Sequence, residues 1–142
     1  MGIQLKQLAD GSAGLEGSAL GKGEIIVLHI PYVAGGATTL SGPVVSRAVI
    51  VQAINGVVDT TTTNAVTATI YSAPSGTALG SGTALHSGTY NGQGTANTNQ
   101  ALTLSTTTGA TTVAAGSRVG IVWSGSPCAA GAGVITLMCT PA

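Results

Sequence analysis

Side chains that could carry out acid–base or nucleophilic chemistry are scarce in this chain. Its 142 residues include only two His and four Asp or Glu. Catalysis requires such groups within hydrogen-bond reach of one another. A Ser–His–Asp arrangement could draw on His29 or His86, Asp59 and a serine, but no G-x-S-x-G turn supports one. We therefore predict that His29 lies inside a strand, that His86 lies in a polar loop, and that the protein is not an enzyme.

The acidic side chains are too dispersed to form a recognisable site. Asp10 and Glu16 belong to an N-terminal segment, apart from Glu24 and Asp59. A glycosidase needs two converging carboxyl groups, and a metal ion needs clustered ligands. The glycine-rich stretch GKGEIIV precedes a predicted strand, whereas a phosphate-binding loop joins a strand to a helix. The sequence thus predicts no catalytic residue, no metal ligand and no cofactor.

The two cysteines, Cys128 and Cys139, flank the last predicted strand. They match no C-x-x-C redox or zinc pattern. In a cytosolic product we expect two free, partly buried thiols. A disulfide is the alternative, because the Gly-rich turn between the two residues would allow them to meet.

The chain is almost uncharged. Charged residues make up 6% of it and the formal net charge is zero, against about 25% charged residues in ordinary soluble domains. Nucleic-acid binding requires a basic footprint, so we expect no nucleic-acid partner. A surface with few charges promotes association, which points to a subunit covered by other proteins. The alternative is a Thr- and Ser-rich surface that stays soluble through its hydroxyls.

The sequence predicts no membrane partner either, although its mean hydropathy is +0.46. A spanning helix needs about 20 consecutive apolar residues, and the best run, 25–28, is interrupted by His29 and Pro31. The N-terminal residues lack the apolar core of a signal peptide. We expect synthesis in the cytoplasm, with export only as part of a particle.

Two regions follow from the pattern: an extended N-terminal arm, residues 1–23, and a β-sandwich domain, residues 24–142. The arm is punctuated by glycines and contains half of the charged residues. A terminus of this kind is usually disordered unless it is tied down. We expect its apolar side chains to form an interface with this domain or a neighbour. They are Ile3, Leu5, Leu8, Leu15 and Leu20.

An all-β fold is predicted by apolar residues that recur with period 2 and by enrichment in β-branched residues. Turn signals separate the runs, among them Gly42-Pro43 and Asn55-Gly56. Many short strands of this kind are typical of a single β-sandwich of jelly-roll type. The predicted strands are 24–33, 44–55, 65–71, 101–105, 118–124 and 134–140.

A six-residue repeat occupies residues 75–92 as SGTALG, SGTALH and SGTYNG. Hexapeptide repeats can build β-helices, but there are too few copies here and the flanking sequence does not repeat. We interpret the repeat as a local duplication within a strand-and-loop segment.

The aromatic residues allow two interpretations. Trp123 alternates with Val119 and Ile121, which predicts that its ring packs in the core. Trp123 could instead form a sugar-binding platform with Tyr32, Tyr71 and Tyr90.

Residues 65–125 resemble the jelly-roll domains of virion accessory proteins of tailed bacteriophages. The resemblance rests on a strand ending Ile70-Tyr71, a Ser/Gly loop, and the turn 115–118 leading into the strand that carries Trp123. It implies a structural virion protein without shared catalytic residues. The leading expectation is a capsid decoration (cement) protein, a homotrimer that binds the major capsid protein on the virion surface. The alternative is a glycan- or receptor-binding module of a tail fibre or baseplate.

Overall fold

The computed structural model of the protein describes residues 24–33, 37–125 and 131–142, together with the backbone of residues 5–7 and 13–15. Regular structure in these residues is almost entirely strand, with one 3-10 turn, η1, at Leu79–Ser81. The strands are β1 Leu5–Gln7, β2 Ala13–Leu15, β3 Ile26–Val33, β4 Thr39–Val44, β5 Val49–Thr60, β6 Thr67–Ala73, β7 Thr83–Ala84, β8 Tyr90–Asn91, β9 Asn99–Leu102, β10 Thr112–Val113, β11 Arg118–Trp123 and β12 Ala132–Pro141.

Two antiparallel sheets form a sandwich. Sheet I has the order β10-β5-β12-β3, and β9 also pairs with β5. Sheet II has the order β4-β11-β6-β7, and β8 also pairs with β6. Strands β1 and β2 pair with each other in a separate two-stranded sheet. The predicted all-β sandwich is therefore confirmed.

The pairing is nested along the chain. Strand β3 pairs with β12, β4 with β11, β5 with β9 and β10, and β6 with β7 and β8. The first four strands of the sandwich thus pair with the later strands in reverse order, and β3 to β6 alternate between the sheets. This order is compatible with a jelly roll, which wraps two Greek keys into a double sheet.

The core lies between the sheets and is built from alternate residues. Val119, Ile121 and Trp123 of β11 are all buried, as their spacing predicts. Val66, Ala68 and Ile70, before and within β6, are buried as well. Small and β-branched side chains fill most of this interior.

Strand β4 contradicts the sequence interpretation, which placed a turn at Gly42-Pro43. The segment is extended because Gly42 packs directly on the core, where a Cβ would lie 2.8 Å from Cγ1 of Ile30. Pro43 is tolerated because β4 is an edge strand and one side of its backbone needs no partner.

Strand β5 contradicts a second predicted turn, at Asn55-Gly56. The strand runs through both residues to Thr60. Gly56 serves packing instead, since a Cβ there would lie 2.4 Å from Cε2 of Tyr90. The predicted strand 44–55 therefore starts and ends too early: a turn at residues 45–48 separates β4 from β5, and β5 continues to Thr60.

Candidate protein-binding face

The outward side of sheet I is a continuous surface without formal charge over most of its area. Its side chains lie in cross-strand rows; Met138, for example, pairs with Val27 on one side and Ala53 on the other. Asp59, at the end of β5, is the one charged residue in the strands of this sheet. We call this surface the outer face of sheet I. It comprises Val27, His29, Pro31, Val33, Gln52, Ala53, Asn55, Val57, Val134, Thr136, Met138 and Thr140.

Polar side chains on this face bond to one another across neighbouring strands. Nδ1 of His29 shares a hydrogen bond of 3.2 Å with Oγ1 of Thr136. The Gln52 amide donates to Oγ1 of Thr140 at 3.1 Å. On the β9 side, the Asn99 amide donates to Oδ1 of Asn55 at 3.1 Å. These pairs satisfy part of the face's polar groups internally, so covering the face strips less water from unpaired groups.

Apolar side chains are unusually exposed here. Val27, Val33 and Met138 on the face have exposed fractions of 46%, 82% and 38%. Ile25 and Val44, at the adjoining edge, are also exposed. Val27 and Met138 are cross-strand neighbours, and exposed apolar side chains that adjoin one another typically mark an interaction surface.

The outward side of sheet II differs because the chain covers part of it. The loop between β6 and β7 crosses it, and Leu79 of η1 is only 2% exposed. A Cβ on Gly120 of β11 would lie 2.4 Å from Cδ2 of Leu79, so the loop sits directly on the strand. Nη2 of Arg118 donates to the Thr77 carbonyl at 2.8 Å and fixes the loop. Within the described residues, no loop crosses the outward face of sheet I in this way.

A groove of about 270 Å³ lies at the edge where β3 and β4 meet. It is lined by Ile26 and Leu28 of β3, by residues 44–47 and by Val49. An ion pair between Arg47 and Glu24 stands at its rim. No backbone ladder joins β3 to β4 in the described part of the chain, so this edge of the sandwich is open.

The two histidines occupy different environments. His29 lies in β3, and its position inside a strand was predicted; its side chain is exposed. His86 lies outside the named strands, in the segment between β7 and β8 where a loop was predicted, but its side chain is buried and bonds to the backbone of Ile70 and Ser87. Neither imidazole hydrogen-bonds a serine hydroxyl or a carboxylate within the described residues. The structure therefore brings no Ser–His–Asp set together there.

Three of the four aromatic rings lie inside the sandwich. Tyr32, Tyr90 and Trp123 are buried and meet edge to face, with ring centroids 5.2 to 6.2 Å apart. The core position predicted for Trp123 is confirmed. Burial and the hydrogen bond to Tyr32 raise the pKa of Tyr90. Only Tyr71 is partly accessible, so these rings form no exposed platform.

The remaining predicted residues are the two cysteines and the apolar side chains of the arm. Cys139 is a buried free thiol, and burial raises its pKa; Cys128 lies outside the described residues. In the arm, Leu5 of β1 pairs with Leu15 of β2 in the backbone register. The side chains of these two leucines lie outside the described residues, as do Ile3, Leu8 and Leu20.

The described residues contain neither a metal-ligand cluster nor a membrane-spanning helix. No group of three His, Cys, Asp or Glu side chains there could hold a metal ion. No helix in the same residues is long and apolar enough to cross a membrane.

Comparisons with known proteins gave no match: no protein-family model, no curated protein and no solved structure matches this chain.

Proposed function

We propose that this protein is a structural subunit that binds other protein chains through the outer face of sheet I. The observation that supports the proposal is the contrast between the sheets: the β6–β7 loop covers part of one outward face, whereas no described loop crosses the other, which is nearly uncharged. Burying apolar surface contributes about 25 cal/mol per Å². Because the face is nearly free of formal charge, this gain is not cancelled by stripping water from ions.

Within this class, we propose a capsid decoration protein of a tailed bacteriophage that binds the major capsid protein as a homotrimer. The sequence resemblance supports the phage assignment, and double-sheet jelly rolls are common in viral capsids. A ligand that binds only the assembled shell stabilises it by mass action. The three-fold symmetry of a homotrimer matches the local three-fold points of an icosahedral shell.

The arm, residues 1–23, would add a second contact. Its leucines would tether a subunit to its neighbour, and linking two weak contacts raises the overall affinity through effective concentration. Deletion of residues 2–22 should weaken binding to the shell while leaving the sandwich folded. Unchanged binding by the deletion variant would remove the arm from the mechanism.

A matched pair of substitutions tests the proposed face. Thr136 of β12 and Thr69 of β6 are both half-buried threonines on central strands, pointing outward from sheet I and sheet II respectively. In a binding assay with particles assembled without this chain, T136K should lose binding and T69K should retain it. Equal binding by the two variants would exclude the outer face of sheet I.

The virion assignment has its own test, the copy number of this protein in purified phage particles. A high copy number in simple ratio to the major shell protein would support decoration. A low copy number matching a tail component would transfer the protein to the tail. Absence from particles would overturn the virion assignment but leave the face proposal to the substitutions.

A further inference from the structure

The edge of the sandwich opposite β3 and β4 is closed by backbone hydrogen bonds that join the two sheets. Residues 85–87 follow β7 of sheet II, and residues 103–105 follow β9 of sheet I. The amide of Ser87 donates to the Thr103 carbonyl at 2.9 Å, and the amide of Ser105 donates to the Leu85 carbonyl at 3.0 Å. His86 and Leu104 form the antiparallel bridge between them. We call these two segments the closed edge.

The imidazole of His86 completes the attachment of this edge to β6. Strand β7 pairs with Tyr71 and Ser72, and β8 resumes pairing at Ala68, which leaves Thr69 and Ile70 between them. The Ile70 carbonyl accepts from the Leu85 amide at 3.0 Å. The Ile70 amide donates to Nε2 of His86 at 3.0 Å. A side chain thus takes the place of a strand carbonyl in the ladder.

The hydrogen bonds fix the protonation state of His86. Nε2 accepts from an amide, so it carries no proton. Nδ1 faces the Ser87 carbonyl at 3.2 Å, and a carbonyl can only accept, so Nδ1 carries the proton. The residue is 4% exposed. The structure therefore requires the neutral imidazole in its Nδ1–H form.

Among the described segments that contact His86, no charged side chain compensates for protonation. On β6 the titratable residue is Tyr71. Apart from His86 itself, residues 83–92 contain only Tyr90, and residues 99–105 contain no titratable side chain. From Asp59 to Arg118 the sequence has no charged residue. Burial lowers the pKa of His86, and the bond to the Ser87 carbonyl opposes this only in part.

We propose that His86 is an acid-sensitive latch that holds the closed edge and releases it when Nε2 is protonated. Protonation turns Nε2 into a donor that faces the donor N–H of Ile70, so the ladder bond is lost. This device goes beyond the proposed function, because it acts within one domain whether or not a partner is bound.

The sign of the pH dependence follows from the two states. In the open state the histidine titrates near its ordinary pKa of 6.5, whereas the closed state holds it neutral to lower pH. Latch stability is complete above pH 6.5 and is lost as the pH falls toward the lowered value. Within that window, the opening equilibrium rises by up to about tenfold per pH unit.

Nuclear magnetic resonance on the ¹⁵N-labelled chain tests the proposal. The imidazole nitrogens should show the Nδ1–H form at neutral pH; the Nε2–H form would overturn the latch. Amide exchange at Ile70 and Leu85, corrected for the intrinsic rate, should be faster than at Leu137 in the core and should accelerate below pH 6.5. Equal rates at all three amides would show global unfolding rather than a latch.

Two variants isolate the histidine. H86Q keeps an acceptor and a donor but cannot become charged, so the acid-dependent opening should disappear. H29Q removes the exposed histidine, and this variant should retain the acid-dependent opening. The same pH dependence in H86Q and the wild-type chain would overturn the proposal, and if H86Q fails to fold, the nitrogen shifts of the wild-type chain decide. A failed face proposal would leave these outcomes unchanged.

Discussion

The hydroxyls of Tyr32 and Tyr90 lie 2.8 Å apart and hydrogen-bond across the core. Tyr32 belongs to β3 of sheet I and Tyr90 to β8 of sheet II, so this bond links the two layers. The ring of Trp123 packs edge to face on both tyrosines. The interior therefore combines small apolar side chains with a specific polar contact between the sheets.

We expect Y90F to lower the free energy of unfolding by about 1 kcal/mol, the usual contribution of a neutral buried hydrogen bond. The ring and its packing remain, so only the hydroxyl is tested. Chemical denaturation monitored by Trp123 fluorescence measures the change. Y71F is the matched control, because the Tyr71 hydroxyl makes no hydrogen bond in the described residues and its loss should have little effect. Equal losses in both variants would contradict this role for the bond.

The glycine at position 56 provides room for the Tyr90 ring, and its replacement should be costly. A Cβ there would lie 2.4 Å from Cε2 of Tyr90 and 2.8 Å from Cδ1 of Ile135. We expect G56A to destabilise the fold by about 1–3 kcal/mol through overpacking. In G80A the new Cβ lies 3.8 Å from its nearest neighbour, Cγ1 of Val122. The thermal midpoint should fall clearly in G56A and little in G80A; similar midpoints would contradict the packing explanation.

The prolines of the open edge should limit strand pairing between molecules. Pro31 lies in β3 and Pro43 in β4, the edge strands of the two sheets. Edge strands template aggregation, and proline blocks it because it has no N–H to donate. We expect P31V to increase self-association in light scattering at neutral pH. P74V, in the loop after β6, should stay at the wild-type level, and a P31V variant that scatters no more than P74V would refute this role.

The strands that the sequence predicts well are those whose pattern is local. In β11 the alternation of Val119, Ile121 and Trp123 with outward residues matches the sheet period directly. Strand β4 and the end of β5, residues 56–60, were missed because Gly42 and Gly56 resemble turn residues in sequence. Both positions are glycine because a Cβ there would clash with a side chain distant in sequence, Ile30 or Tyr90, and no local pattern shows such a contact.

The candidate sites were predictable only in part. Low charge indicates a partner-covered surface, but the choice between the sheets depends on the loop that places Leu79 over Gly120. The role of His86 depends on an amide 16 positions away, that of Ile70. The Ser/Gly-rich sequence around His86 predicted a loop. Such a sequence does not show which side chains of the loop turn inward.

The nested pairing also has a kinetic consequence. Strand β12 lies between β5 and β3, yet it is the last of the described strands to be synthesised. The strand pairing of sheet I therefore cannot be completed until residues Ala132–Pro141 have left the ribosome. Such non-local pairing has a high contact order and gives folding times of about milliseconds to seconds. A partly synthesised chain has no complete sheet I with which to engage a partner, so association waits for the finished sandwich.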